Sequence, residues 1–150
     1  MTAVQAYDLI TKCGATDCES FGPYCLIGGL AVNCYVDPVY TLDANIVVSA
    51  AGLCKLKATP PPSDLRIQFT TDERYQAFLA RSVQAEVLGI RVRIACLEDV
   101  TRGKLWVYSD PRRRLSKRKK DELDLIRLAE AHPELKSLYP SELQEQIDRG

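Results

Sequence analysis

Two adjacent glycines, Gly28 and Gly29, and an Asp-x-Asn pair, Asp43 with Asn45, are the residues of this chain whose types and spacing could do chemistry. Glycine lets a backbone turn bring its N–H groups close to a phosphate, an approach that a side chain would obstruct. Asp43 and Asn45 stand two positions apart at the head of a stretch rich in Val and Ile, so strand geometry puts both side chains on one face. A carboxylate and an amide oxygen side by side suit a hard cation such as Mg²⁺ or Mn²⁺. The chemistry expected is that of a metal-bound polyphosphate.

The elements that must position these residues can be read around them. Tyr24 to Ile27 is an apolar strand, and Leu30 to Val36 is a short helix stopped by Asp37-Pro38, which places the glycines at a strand-to-helix turn. Ala44 to Ser49 is a second strand. In Leu65 to Phe69, apolar Leu65, Ile67 and Phe69 alternate with Arg66 and Gln68. That pattern predicts a third strand whose polar face Asp64 would join. Between these two strands, Gly52 and the run Pro60-Pro61-Pro62 leave little room for a regular helix.

Downstream, Thr71-Asp72-Glu73 starts a helix that buries Tyr75, Phe78 and Leu79 and ends near Ala85. Val87 to Cys96 is a pair of short strands around Gly89. Leu97 opens a helix carrying Lys104, Leu105 and Trp106, which breaks at Asp110-Pro111. A longer helix runs from Ser116 to about Ala131, with Leu123, Leu125, Ile126 and Leu128 toward the core, and Pro133 ends it. The last residues, 140 to 150, form a short helix with Ser141 as N-cap. Residues 2 to 12 are a helix closed by Gly14.

At 150 residues and 46% hydrophobic content, the chain fits one globular domain able to bury a core. Twenty basic and twenty acidic residues cancel, so net charge gives no argument for nonspecific polyanion binding. One local cluster does: Arg112 to Lys120 holds seven basic residues in nine, a pattern able to bind polyphosphate or an RNA backbone. No apolar run approaches a membrane span and no basic, then apolar, leader is present, so a soluble cytoplasmic protein is expected. The six cysteines lack Cys-x-x-Cys spacing and are read as buried free thiols, with Cys13 and Cys18 the exceptions near a loop.

The glycine pair followed by the Asp-x-Asn pair resembles the polymerase-beta superfamily of nucleotidyltransferases, in particular its minimal and abortive-infection-type members of toxin–antitoxin systems. The resemblance covers most of residues 20 to 130. It implies an α/β fold, a small mixed sheet flanked by helices, with a core at about 20–110 and a C-terminal helical segment at about 116–150. In that family a glycine turn holds the triphosphate, an Asp-x-Asp pair binds divalent metal, and a third carboxylate follows on a neighbouring strand. Gly28 and Gly29, Asp43 with Asn45, and Asp64 match those places. Gly103-Lys104-Leu105-Trp106 and Lys117 to Leu125 look like the later phosphate-binding lysine and the helical Lys-Asp motif, which the resemblance assigns to Lys104, Lys120 and Asp121.

The implied function is transfer of a nucleoside monophosphate from a nucleoside triphosphate to a tRNA or protein acceptor, with a cognate toxin or antitoxin as partner. Asp43 and Asp64 would be catalytic metal ligands and Asn45 a weakened one. The chain departs from the family at Asn45, which keeps a carbonyl oxygen but lacks the negative charge. Removing a unit charge about 4 Å from a cation forfeits on the order of 4 kcal/mol per unit of cation charge at an effective dielectric near 20. Two readings follow: an enzyme of reduced or abolished activity, or a catalytically degenerate module that binds nucleotide or a partner.

Overall fold

A computed structural model describes residues 22–55, 66–87 and 89–150 of the chain. They fall into two compact units that divide between Cys96 and Leu97. The predicted helix over 2–12, Cys13, Cys18, the triple proline and Asp64 lie outside the described residues.

The first unit is a five-stranded mixed sheet with helices. Its elements are β1 (Tyr24–Ile27), α1 (Gly28–Val32), β2 (Asp43–Val48), α2 (Ala50–Lys55), β3 (Arg66–Thr70), α3 (Glu73–Arg81), β4 (Val83–Val87) and β5 (Ile90–Ile94). The strand order is β3-β2-β1-β5-β4. β1 is buried along its whole length, as a central strand of an α/β sheet must be. It pairs antiparallel with β2, Tyr24 opposite Val48 and Ile27 opposite Asn45, and parallel with β5, Leu26 opposite Ile94. β2 and β3 run parallel, and β4 and β5 form an antiparallel hairpin.

The helices differ from expectation where a local hydrogen bond decides. α1 begins at Gly28 rather than Leu30, and the residues after Val32 continue as turns. α2 forms despite Gly52, because Ser49 caps it: Ser49 Oγ accepts the Gly52 N–H at 3.0 Å, and the Ser49 carbonyl accepts that of Leu53 at 2.9 Å. α3 is capped by Asp72, which accepts the Arg74 N–H, and buries Tyr75 and Phe78 edge to face. It stops at Arg81 instead of Ala85. There the Arg93 guanidinium donates to both the carbonyl and the hydroxyl of Ser82, holding that residue extended at the start of β4. The hairpin therefore begins at Val83, four residues ahead of the expected start, and turns at Gly89, whose φ is +81°.

The second unit is helical: α4 (Leu97–Tyr108), α5 (Leu115–Ala131), a 3₁₀ turn (Pro133–Leu138) and α6 (Ser141–Arg149). Leu125, Leu128, Ala129, Leu135, Tyr139 and Leu143 make its core together with Val100. Leu123, expected inside, is 51% exposed. The buried stripe of α5 is rotated toward Asp121, Glu122 and Asp124, all of which are buried. Pro140, not Ser141, stands at the N-cap of α6, and no side chain caps it. The Tyr139 hydroxyl donates to the Leu125 carbonyl at 2.7 Å, and burial pushes its pKa above the ordinary phenol range.

Glu122 ties α5 to α6. It accepts from Lys119 at 2.7 Å and from Gln146 at 3.2 Å. The Lys119 hydrogen bond, helped by Gln146 and opposed by burial, holds this carboxyl below its ordinary value of 4.5. A pKa depressed by folding stabilises above the unfolded-state value, and that contribution fades as pH falls through the lower folded value. The stability gap between the native protein and Glu122→Gln, followed by urea unfolding from pH 7 downward, is therefore expected to be full above pH 4.5 and to close at more acid pH.

Candidate functional site

The antiparallel β1–β2 pair turns the sequence spacing into geometry. Ile27 lies opposite Asn45, so the residue after the end of β1, Gly28, is delivered against the Asn45 side chain. Gly28 has φ +72°, in the left-handed region that glycine alone adopts without strain. A Cβ built there would stand 2.9 Å from Asn45 Nδ2. Gly29 has no such constraint: a Cβ would meet Thr41 Oγ1 at 3.6 Å, an ordinary contact. The two glycines, equivalent in the sequence, have different duties. Gly28 makes the turn, and Gly29 lines it beside Thr41.

β2 places Ala44, Ile46 and Val48 on one face, buried, and Asp43 and Asn45 on the other, half-buried. The parallel register of β3 brings Arg66 opposite Asp43 and Gln68 opposite Asn45. Asp43, Asn45, Arg66 and Gln68 thus form a polar patch next to the glycine turn. Within it an Arg66 guanidinium nitrogen stands 2.9 Å from Asp43 Oδ1. Arg66 is 68% exposed, so this ion pair adds little to stability. Its consequence is chemical, because it sets a fixed positive charge beside the carboxylate that a cation would need.

That pairing bears on Mg²⁺. The patch offers one carboxylate, already balanced by arginine, and the two amide oxygens of Asn45 and Gln68. Among the described residues no group of three or more His, Cys, Asp or Glu side chains could hold a metal ion, and Asp64 lies outside them. Neutral amide oxygens beside a paired carboxylate suit a dication that arrives already coordinated by phosphate oxygens, the usual manner of Mg²⁺ with nucleotides.

The other expected site residues belong to the second unit. Lys104 on α4 is only 6% exposed. Its ammonium lies 3.0 Å from Asp121 Oδ1 and 2.6 Å from Asp124 Oδ2, both on α5. Arg113 reaches Asp121 Oδ2 at 2.8 Å and Arg127 reaches Asp124 Oδ1 at 2.8 Å. Three cations and two carboxylates alternate as Arg113, Asp121, Lys104, Asp124, Arg127. Asp124 Oδ2 meets the lysine by charge alone, outside hydrogen-bonding angles. Lys104 in this arrangement is a buried internal counter-ion of α5.

The basic run is partly consumed within its own unit. Arg113 pairs with Asp121, Lys119 with Glu122, and Arg112 with Asp110 at 3.5 Å. Lys120 is half-buried, while Arg114 is exposed. A surface groove of about 500 Å³ in the same unit is lined by Arg102, Leu105, Trp106, Ser109, Leu138 and Pro140, none of them a predicted site residue.

Sequence reading missed Arg66 as the partner of Asp43, and Arg113, Asp124 and Arg127 as partners around Lys104. Arg66 carried a signal, since it alternates into the polar face of its strand. Asp124 carried another, lying one helical turn beyond Asp121. Among the described residues, no helix is long and apolar enough to cross a membrane. No family model matches the chain, and no curated protein matches it.

Proposed function

We propose that the chain is a nucleotidyltransferase-like protein whose glycine corner receives the phosphates of a nucleoside triphosphate, with Mg²⁺ or Mn²⁺ entering as part of that substrate. The observation that carries this reading is the contact of the Gly28 turn with Asn45, two residues from Asp43 on the same face of β2. A turn without a side chain beside two oxygen ligands fits a phosphate–metal complex better than it fits an apolar or purely cationic ligand. The reaction is transfer of a nucleoside monophosphate to a tRNA or protein acceptor in the cytoplasm. A bond forms from the acceptor oxygen to the α-phosphorus as the bond to pyrophosphate breaks, and the hydroxyl proton leaves to a base.

Asn45 in place of an acid, and Arg66 against Asp43, favour the weaker form of this function: nucleotide is bound, and transfer is slow or absent. A cognate toxin or antitoxin chain is the partner this reading implies. The test is to incubate the native protein and Asn45→Asp with Mg²⁺ and each labelled nucleoside triphosphate, with and without tRNA. Triphosphate binding by both, and label transfer at least tenfold greater in the variant, is the expected result. Binding by neither overturns the reading, and efficient transfer by the native chain removes the binding-only form of it.

A further inference from the structure

Among the described residues β4 is an edge of the sheet, and its five residues, Val83-Gln84-Ala85-Glu86-Val87, include no proline and no lysine to discourage another strand. The hairpin fixes which backbone groups face outward. Val87 lies opposite Ile90, closing a connection of only positions 88 and 89, and the closing pair of such a hairpin exchanges both its hydrogen bonds. Alternate pairs do the same, so Val83, Ala85 and Val87 bond to β5 while Gln84 and Glu86 direct N–H and C=O away from it. The far side of β5 agrees. Arg93, opposite Gln84, points its N–H away from β4, to the Tyr24 hydroxyl at 3.4 Å.

The alternation of apolar and polar side chains along β4 reads the same in both directions. On one face are Val83, Ala85 and Val87, continuing the apolar layer of Val92 and Ile94, which are buried. Val83 nevertheless remains 41% exposed, and among the described residues no strand lies beyond it. On the other face are Gln84 and Glu86. We propose that β4 pairs with β4 of a second copy of this chain, antiparallel about a two-fold axis at Ala85. That register sets Val83 against the partner's Val87, Gln84 against the partner's Glu86, and the two Ala85 residues against each other. Apolar meets apolar and amide meets carboxylate. The outward groups of Gln84 and Glu86 fall at hydrogen-bonded positions, four bonds in all, and Ala85 falls at a non-hydrogen-bonded one.

Five residues from each copy bury less than the ~1,200 Å² typical of stable complexes, so the association is concentration-dependent. Sedimentation equilibrium of the full chain over a wide concentration series reads it. The native mass is expected to rise from monomer toward dimer. Gln84→Pro removes only an outward N–H and keeps the β4–β5 ladder, so it raises the dissociation constant roughly tenfold or more. Ala85→Cys is the second arm: facing residues at a non-hydrogen-bonded position lie ~4.5 Å apart between Cα atoms, within disulfide reach. Under mild oxidation it should give a reducible dimer mapped to position 85, and Gln84→Cys should not give the matching link at 84. A native mass that stays monomeric throughout overturns the proposal. So does undiminished association of a Gln84→Pro variant with native circular dichroism, or a position-85 link no more abundant than one at position 84.

Discussion

Lys104→Ala is expected to destabilise the C-terminal unit by about 3 kcal/mol or more. Removing one partner of a buried ion pair typically costs about 3–5 kcal/mol because the other charge stays behind in a medium that solvates it poorly. Here two carboxylates stay behind, Asp121 and Asp124, drawn together by an ammonium 3.0 and 2.6 Å away. Arg113 and Arg127 still neutralise them, which places the loss toward the lower end of that range. The chain has a single tryptophan, Trp106, on the same helix as Lys104, so its fluorescence during urea unfolding reports on this unit. Lys104→Met, which keeps most of the packing volume, separates charge from cavity: a loss close to that of the alanine variant assigns the effect to charge. A loss below about 0.5 kcal/mol, the range of an ordinary surface change, would show that the cluster does not act as a buried unit.

Gly28→Ala is the second large effect, and Gly29→Ala is its control. At φ +72° an alanine pays about 1–2 kcal/mol of backbone strain, and its Cβ would come within 2.9 Å of Asn45 Nδ2. The amide must swing away, and the polar patch beside Asp43 is disturbed with it. Triphosphate binding, measured by calorimetry, should weaken at least tenfold. Gly29→Ala meets only an ordinary 3.6 Å contact with Thr41 and sits in a helix, where alanine is the better former. Its stability should match or exceed the native value. Equal losses from the two substitutions would contradict the division of labour between the glycines.

What was legible in the sequence was local. β1 and β2 were readable from runs of Val, Ile and Leu, and α4 and α5 from amphipathic spacing with breaks at Asp110-Pro111 and Pro133. That Gly28 and the Asp43–Asn45 face share a site was an expectation from residue types and the family resemblance, but the adjacency itself required the antiparallel register of β1 and β2. The Asp43–Arg66 pair needed the parallel register of β3, which no local pattern encodes. The rotation of α5 that exposes Leu123 was hidden for a different reason. Hydrophobic periodicity assumes that charged residues face water, and the network around Lys104 reverses that assumption for Asp121 and Asp124. The helix at Ala50–Lys55 was masked by Gly52, whose poor propensity is offset by the serine cap ahead of it.

The central place of β1 also sets the order in which the chain can fold. Its neighbour β2 follows closely in the sequence, whereas the Tyr24 hydroxyl meets the Arg93 amide across 69 intervening steps of chain. Closing so long a loop is slow, because its entropy is lost before the contacts that repay it exist. β1, α1 and β2 can assemble early as a half-sheet, with the apolar edge of β1 open until the β4–β5 hairpin docks. On that loop-closure argument the corner built on Gly28 is expected to take shape before the β5 side of β1 is covered.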